Sequence, residues 1–141
     1  MMNLNEKDYV GVISFLDYQV VDAEFKLNRD FNDNGEPISI DFKLGHGFEI
    51  KDNIMQVGLG AKIFENSTEN NYPFEISVEI LGFFASDNDD INSEGFLPNA
   101  LAILYPYLRS TITNITANAN VQPLILPTIN ILSYLKDSDT E

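Results

Sequence analysis

Apolar and polar residues alternate along four separate stretches of the chain, and each alternation predicts a β-strand with one buried face. In residues 18–31, Val21, Ala23, Phe25 and Leu27 point one way while Asp22, Glu24, Lys26 and Asn28 point the other. Residues 37–45 set Ile38, Ile40, Phe42 and Leu44 against Ser39, Asp41 and Lys43. Residues 53–65 place Met55, Val57, Leu59, Ala61 and Ile63 on one side. Residues 72–85 place Phe74, Ile76, Val78 and Ile80 opposite Glu75, Ser77 and Glu79. Asp33-Asn34-Gly35 is turn material, because Asn and Gly tolerate positive φ. Gly45-His46-Gly47 is expected to end or bend the second strand. Gly58 and Gly60 interrupt the polar side of the third, which points to a bulge or a close backbone approach. Residues 66–71 read as a polar turn and residues 86–94 as an acidic loop.

The period then changes. Leu97, Leu101, Leu104, Leu108, Ile112 and Ile115 recur at spacings of four and three, so they share one face of a helix that Ala100, Ile103 and Tyr107 widen. Pro106 either kinks this helix or starts a second one at Tyr105. Pro123 and Pro127 frame Leu124-Ile125-Leu126, which therefore is not helix interior. Residues 129–136 are expected to form a short helix, with residues 137–141 as a frayed acidic tail. Strands followed by helices predict an α+β fold: a four-stranded antiparallel sheet with a long and a short helix packed on one face. No repeat or linker interrupts residues 1–141, which read as one domain.

Composition narrows the possible partners. With 141 residues the chain can bury a sizeable core. It has no cysteine, which excludes disulfides and thiolate metal sites. A net charge of -14 disfavours nucleic acid and anionic membranes and favours basic or apolar partners. The N-terminal residues lack the basic start and apolar run of a secretion signal. Prolines break every long apolar run. The expected location is the cytoplasm.

Motifs for chemistry are weak. His46, the only histidine, lies between glycines with no acid beside it to orient it for catalysis, and reads as a solvated loop residue. Asp30, Asn32, Asn34 and Gly35 match the first half of a calcium loop, but position twelve is Asp41 and the flanks are strands, so a hairpin turn explains them better. Asp87-Asn88-Asp89-Asp90 reads as a solvated acidic loop, and Gly58-Leu59-Gly60 lacks phosphate-loop spacing. No cofactor, metal site or catalytic residue is expected. The chain does hold more apolar residues than one sheet face and one helix can hide. Phe83 and Phe84 are adjacent and point to opposite sides of their strand. The surplus fits an oligomer interface, a groove for extended polypeptide, or both.

Leu104-Tyr105-Pro106-Tyr107 resembles the Leu-Phe-Pro-Tyr signature of the protein-export chaperone SecB. Pro123, Pro127 and Asn130 are similar to a later element of that family, and Gly82-Phe83-Phe84 to its Gly-Ile-Phe strand end. The resemblance implies an ATP-independent holdase that binds unfolded polypeptide, assembled as a homotetramer from two dimers. It implies a peptide-binding groove at Ile40, Phe42, Leu44 and Phe74, with Phe83 and Phe84 beside them. It also implies docking of the export motor SecA on an acidic face that would include Asp22, Glu24, Glu75 and Glu79. Some SecB-like proteins instead serve the antitoxin of a toxin–antitoxin pair, and an adaptor with one folded partner is a further alternative. The chain departs from the family in lacking its usual cysteine and strand-two tryptophan.

Overall fold

The computed structural model describes residues 13–86 and 93–139. Its strands β1 (Ile13–Leu27), β2 (Phe42–Lys51), β3 (Ile54–Ile63) and β4 (Phe74–Ser86) form one antiparallel sheet in the order β1-β4-β3-β2. A single turn, α1 (Ser67–Asn70), joins β3 to β4. The long α2 (Ser93–Asn118) and the short α3 (Ile131–Asp139) follow. This is the expected α+β fold. The acidic residues 87–90 and the N-terminal stretch 1–12 lie outside the described residues, as do the last two residues of the tail.

The connections differ from the sequence reading at three places. The first is the start of the crossover. β1 ends at Leu27 because Asn28 turns inward and is buried. Its amide donates to the carbonyls of Ser67 (3.1 Å) and Tyr72 (2.9 Å), and its side-chain oxygen accepts from the Asp30 N–H (3.0 Å). Three bonds from one buried amide pull the chain out of the ladder and pin it beside α1. The second is the turn at Asp33-Asn34-Gly35. It forms through side-chain caps, Gly35 N–H to Asp33 (2.9 Å) and Glu36 N–H to Asn34 (3.0 Å), with Gly35 at φ 79°. It is not a hairpin, because β1 and β2 lie at opposite edges and residues 28–41 must cross the width of the sheet.

The third concerns the glycines. Residues 37–41 make no ladder; β2 begins at Phe42 and continues through Gly45-His46-Gly47 to Lys51. Gly45 pairs with Gly60 and Gly47 with Gly58, so the glycines of β3 mark a close pairing without a bulge. The bulges fall instead in β1, at Leu16 and Val21. β2 turns into β3 through Asp52 and Asn53, both at positive φ (53° and 63°), the two-residue hairpin geometry that matches strand twist.

One face of the sheet carries the core. Alternate residues of β3 and β4, among them Met55, Leu59, Ile80 and Phe84, are buried against Leu101, Leu104, Leu108 and Ile112 of α2. α2 runs unbroken through Pro106, whose ring sits on the exposed side. Gly82 sets how closely α2 approaches. A Cβ there would lie 2.5 Å from one Leu104 methyl and 2.9 Å from the other.

After α2 the chain turns at Asn120, at φ 62°, and runs back along the helix. Buried Thr116 accepts from the Leu124 N–H (2.9 Å), and Thr113 donates to the Leu124 carbonyl (2.8 Å). The Tyr105 hydroxyl, whose pKa burial raises, donates to the Pro127 carbonyl. Leu124 and Leu126 point inward and Ile125 outward, so the proline-bracketed segment is extended.

Gly82→Ala should cost about 1–3 kcal/mol in urea unfolding, because the new methyl must displace Leu104. Combining it with Leu104→Ala should cost less than the sum of the single losses, since the truncated side chain no longer meets the methyl. Thr116→Val should cost about 1–3 kcal/mol by stranding the Leu124 N–H.

Candidate functional site

The four acidic residues singled out in the sequence lie together on the sheet face away from α2. In the β1–β4 register Asp22 sits opposite Glu79, Glu24 opposite Ser77, and Lys26 opposite Glu75. They line an open trough of about 1100 Å³ whose floor is Gly45, Gly47, Gly58 and Gly60. At its other end Glu65 pairs with Lys43 (3.1 Å) and Lys62 (3.9 Å). The Lys43 hydrogen bond and charge hold the Glu65 carboxyl below the usual carboxylate range, and Glu65 in turn raises the Lys43 ammonium. No such pairing neutralises Asp22, Glu24 or Glu79 among the described residues.

The six apolar residues expected at a groove divide among four places. Phe74 and Phe84 are buried in the core, because the even-numbered positions of β4 face α2. Phe84 packs its ring 5.5 Å from that of Phe15. Phe83, one residue earlier, is half-buried on the acidic face. Ile40 is exposed in the crossover segment just ahead of β2. Phe42 and Leu44 lie side by side on the α2 side of β2, half-buried at the rim of the core.

Two residues extend this pair: Phe48, which the sequence offers only as surplus apolar surface at an element end, and Ile50, which sequence reasoning missed. Phe48 and Ile50 continue the same face of β2 and are 46% and 41% exposed. Their signal was the alternation Phe48-Glu49-Ile50-Lys51, which Gly45-His46-Gly47 masked by resembling the end of a strand. α2 packs on β1, β3 and β4, and so leaves this strip at the edge uncovered.

His46 lies in the middle of that strip and is not a loop residue. Its Nδ1 is 2.7 Å from the Tyr134 hydroxyl of α3, with the rings edge to face at 5.3 Å. Burial pushes the Tyr134 hydroxyl above its ordinary pKa, and the His46 tautomer sets which of the two groups donates. α3 thus reaches the β2 edge through one tyrosine, while Leu132 stays 68% exposed.

The calcium-loop residues are occupied otherwise. The Asn32 N–H donates to Asn71 (2.9 Å), and Asp41 accepts from the Tyr72 hydroxyl (3.3 Å). Among the described residues no three of His, Asp and Glu gather as metal ligands. Among them, too, no helix is long and apolar enough to cross a membrane.

The fold matches that of the Mycobacterium tuberculosis SecB-like chaperone Rv1957, solved in complex with a ChAD peptide from the HigA1 antitoxin. The TM-score is 0.67 at 12% identity, over 83% of this chain and 90% of that one. The fold is SecB-like. A protein of unknown function from Streptococcus agalactiae matches this SecB-like fold less closely. Its TM-score is 0.50 at 14% identity, over 82% of this chain and 97% of the other. In sequence, 77 residues are 40% identical to an uncharacterised protein of Methanocaldococcus jannaschii, covering 49% of this chain and 50% of that protein. The chain thus spans about half the length of the curated relative it matches. No family model matches the sequence.

The geometry of this SecB-like sheet predicts how α3 is held. Tyr134→Phe removes one partly buried hydrogen bond worth about 1 kcal/mol. Backbone amides of α3 should then exchange roughly fivefold faster, while those of β3 and β4 keep their protection.

Proposed function

We propose that this chain is an ATP-independent chaperone that holds an extended apolar segment of a dedicated protein partner, with an antitoxin as the favoured class. The fold match to a SecB-like chaperone solved with an antitoxin peptide carries this reading. The uncovered strip of Phe42, Leu44, Phe48 and Ile50, with Ile40 beside its start, supports it from this chain's own residues. Such a strip binds by area buried and not by matched polar contacts, which suits a segment lacking fixed structure. Phe74 and Phe84 have no part in it, because they are already inside the core.

A second reading is a general holdase for preproteins that hands them to the motor SecA. The gathering of Asp22, Glu24, Glu75 and Glu79 on one open face favours it. In either case we place the chain in a homotetramer. Leu16, Val20, Val21 and Leu27 of β1 leave apolar surface at the opposite edge for such an assembly.

Light scattering from a chemically unfolded protein diluted with and without this chain, in the absence of ATP, tests the activity. A dedicated chaperone suppresses aggregation of a protein carrying an antitoxin-type apolar tail and leaves tail-less proteins unprotected. A general holdase suppresses both. Phe48→Asp should weaken tail binding about ten- to a hundredfold, the worth of one buried phenylalanine, without lowering the urea midpoint. Binding unchanged by Phe48→Asp and Leu44→Asp together would reject the strip as the client site.

A further inference from the structure

The backbone of β2 is as open as its side chains. In antiparallel pairing, residues alternate between those bonded to the neighbouring strand and those whose N–H and C=O point outward. The Phe64 N–H donates to the Asp41 carbonyl (2.8 Å), and the register is regular from Phe42 to Lys51. Residues 43, 45, 47, 49 and 51 therefore bond to β3, while Phe42, Leu44, His46, Phe48 and Ile50 direct their backbone groups away from the sheet. Among the described residues nothing hydrogen-bonds these groups.

The two edges of the sheet differ in their readiness to accept a strand. β1 is interrupted by its two bulges, which distort a ladder and blunt an edge against pairing. β2 has none. It also carries Gly45 and Gly47, although glycine weakens a strand interior. Among the described residues nothing requires them: neither has a positive φ, and a Cβ at either would meet no described atom within 4 Å. They leave one side of the edge clear, while Leu44, Phe48 and Ile50 make the other side apolar.

We propose that the free edge of β2 takes an extended segment of the client as a fifth, hydrogen-bonded strand. This rests on the client-binding reading above and specifies how the client is held. The occupant is a polypeptide segment with apolar residues at every second position. Those residues lie on the side of Leu44, Phe48 and Ile50. The alternate residues lie beside Gly45 and Gly47, where no side chain opposes them, so their identity is unconstrained. Main-chain bonds supply affinity and alternation supplies selection.

The test uses the whole chain and a synthetic peptide alternating leucine and serine, with a lysine at each end. On binding, the amides of Leu44, His46 and Phe48 should gain protection from exchange, while those of Gly45 and Gly47, already bonded to β3, should change little. N-methylating the peptide one nitrogen at a time should weaken binding about tenfold at alternate positions and leave the others near the parent affinity. Binding with no period-two response and no protection at Leu44, His46 and Phe48 would overturn the added strand while leaving the client reading intact. No binding of this peptide or of an unfolded client would remove both. Protection of the same amides in a concentration-dependent dimer without peptide would overturn the proposal by giving the edge to a second copy of the chain.

Discussion

The fit of α2 against β4 at Gly82 is the contact on which the rest of the molecule depends. With no side chain at Gly82, Leu104 can settle directly on the strand. The helix is thereby seated over the middle of the sheet, and Leu101, Leu108 and Ile112 fall onto β3 and β4. A sheet has two edges and a single helix covers only part of its width. Centring α2 on β4 and β3 leaves β2 beyond its reach, so the packing that makes the core also determines which apolar residues remain outside it.

The two faces of β2 then follow from strand periodicity. Side chains on the α2 side are Phe42, Leu44, His46, Phe48 and Ile50; those on the other side are Lys43, Gly45, Gly47, Glu49 and Lys51. The first set borders the core and the second borders the acid-walled trough. One strand thus separates an apolar surface from a charged one, and the two surfaces can be altered independently. α3 touches the apolar side through Tyr134 and His46, a single polar contact among hydrophobic neighbours.

Much of this was legible in the sequence, and the failures share a cause. Alternation located all four strands and the spacing of Leu97, Leu101, Leu104 and Leu108 located the helix, because both are local periodicities. Strand order was not legible, since it depends on which distant segments pair. Asp33-Asn34-Gly35 therefore looked like a hairpin although its flanking strands lie at opposite edges. Asn28 seemed to continue a strand because nothing nearby in sequence reveals its partners, Ser67 and Tyr72. Gly45-His46-Gly47 looked like a break because glycine usually is one, which hid Phe48 and Ile50. The acidic set Asp22, Glu24, Glu75 and Glu79 came together because both strands kept the polar phase of their alternation. Phe74 and Phe84 moved into the core because they follow the opposite phase of the same strand.

The pairing of β1 has a consequence for how the chain is made. β2, β3 and β4 follow one another and pair as neighbours, so they can zip together as they emerge from the ribosome. β1 emerges first and pairs only with β4, the last strand of the sheet. Throughout the synthesis of the intervening residues it has no strand to join, and its Phe15, Tyr18 and Phe25 have no core to enter. During its own birth this protein therefore carries a long, unpaired, apolar strand awaiting a partner edge.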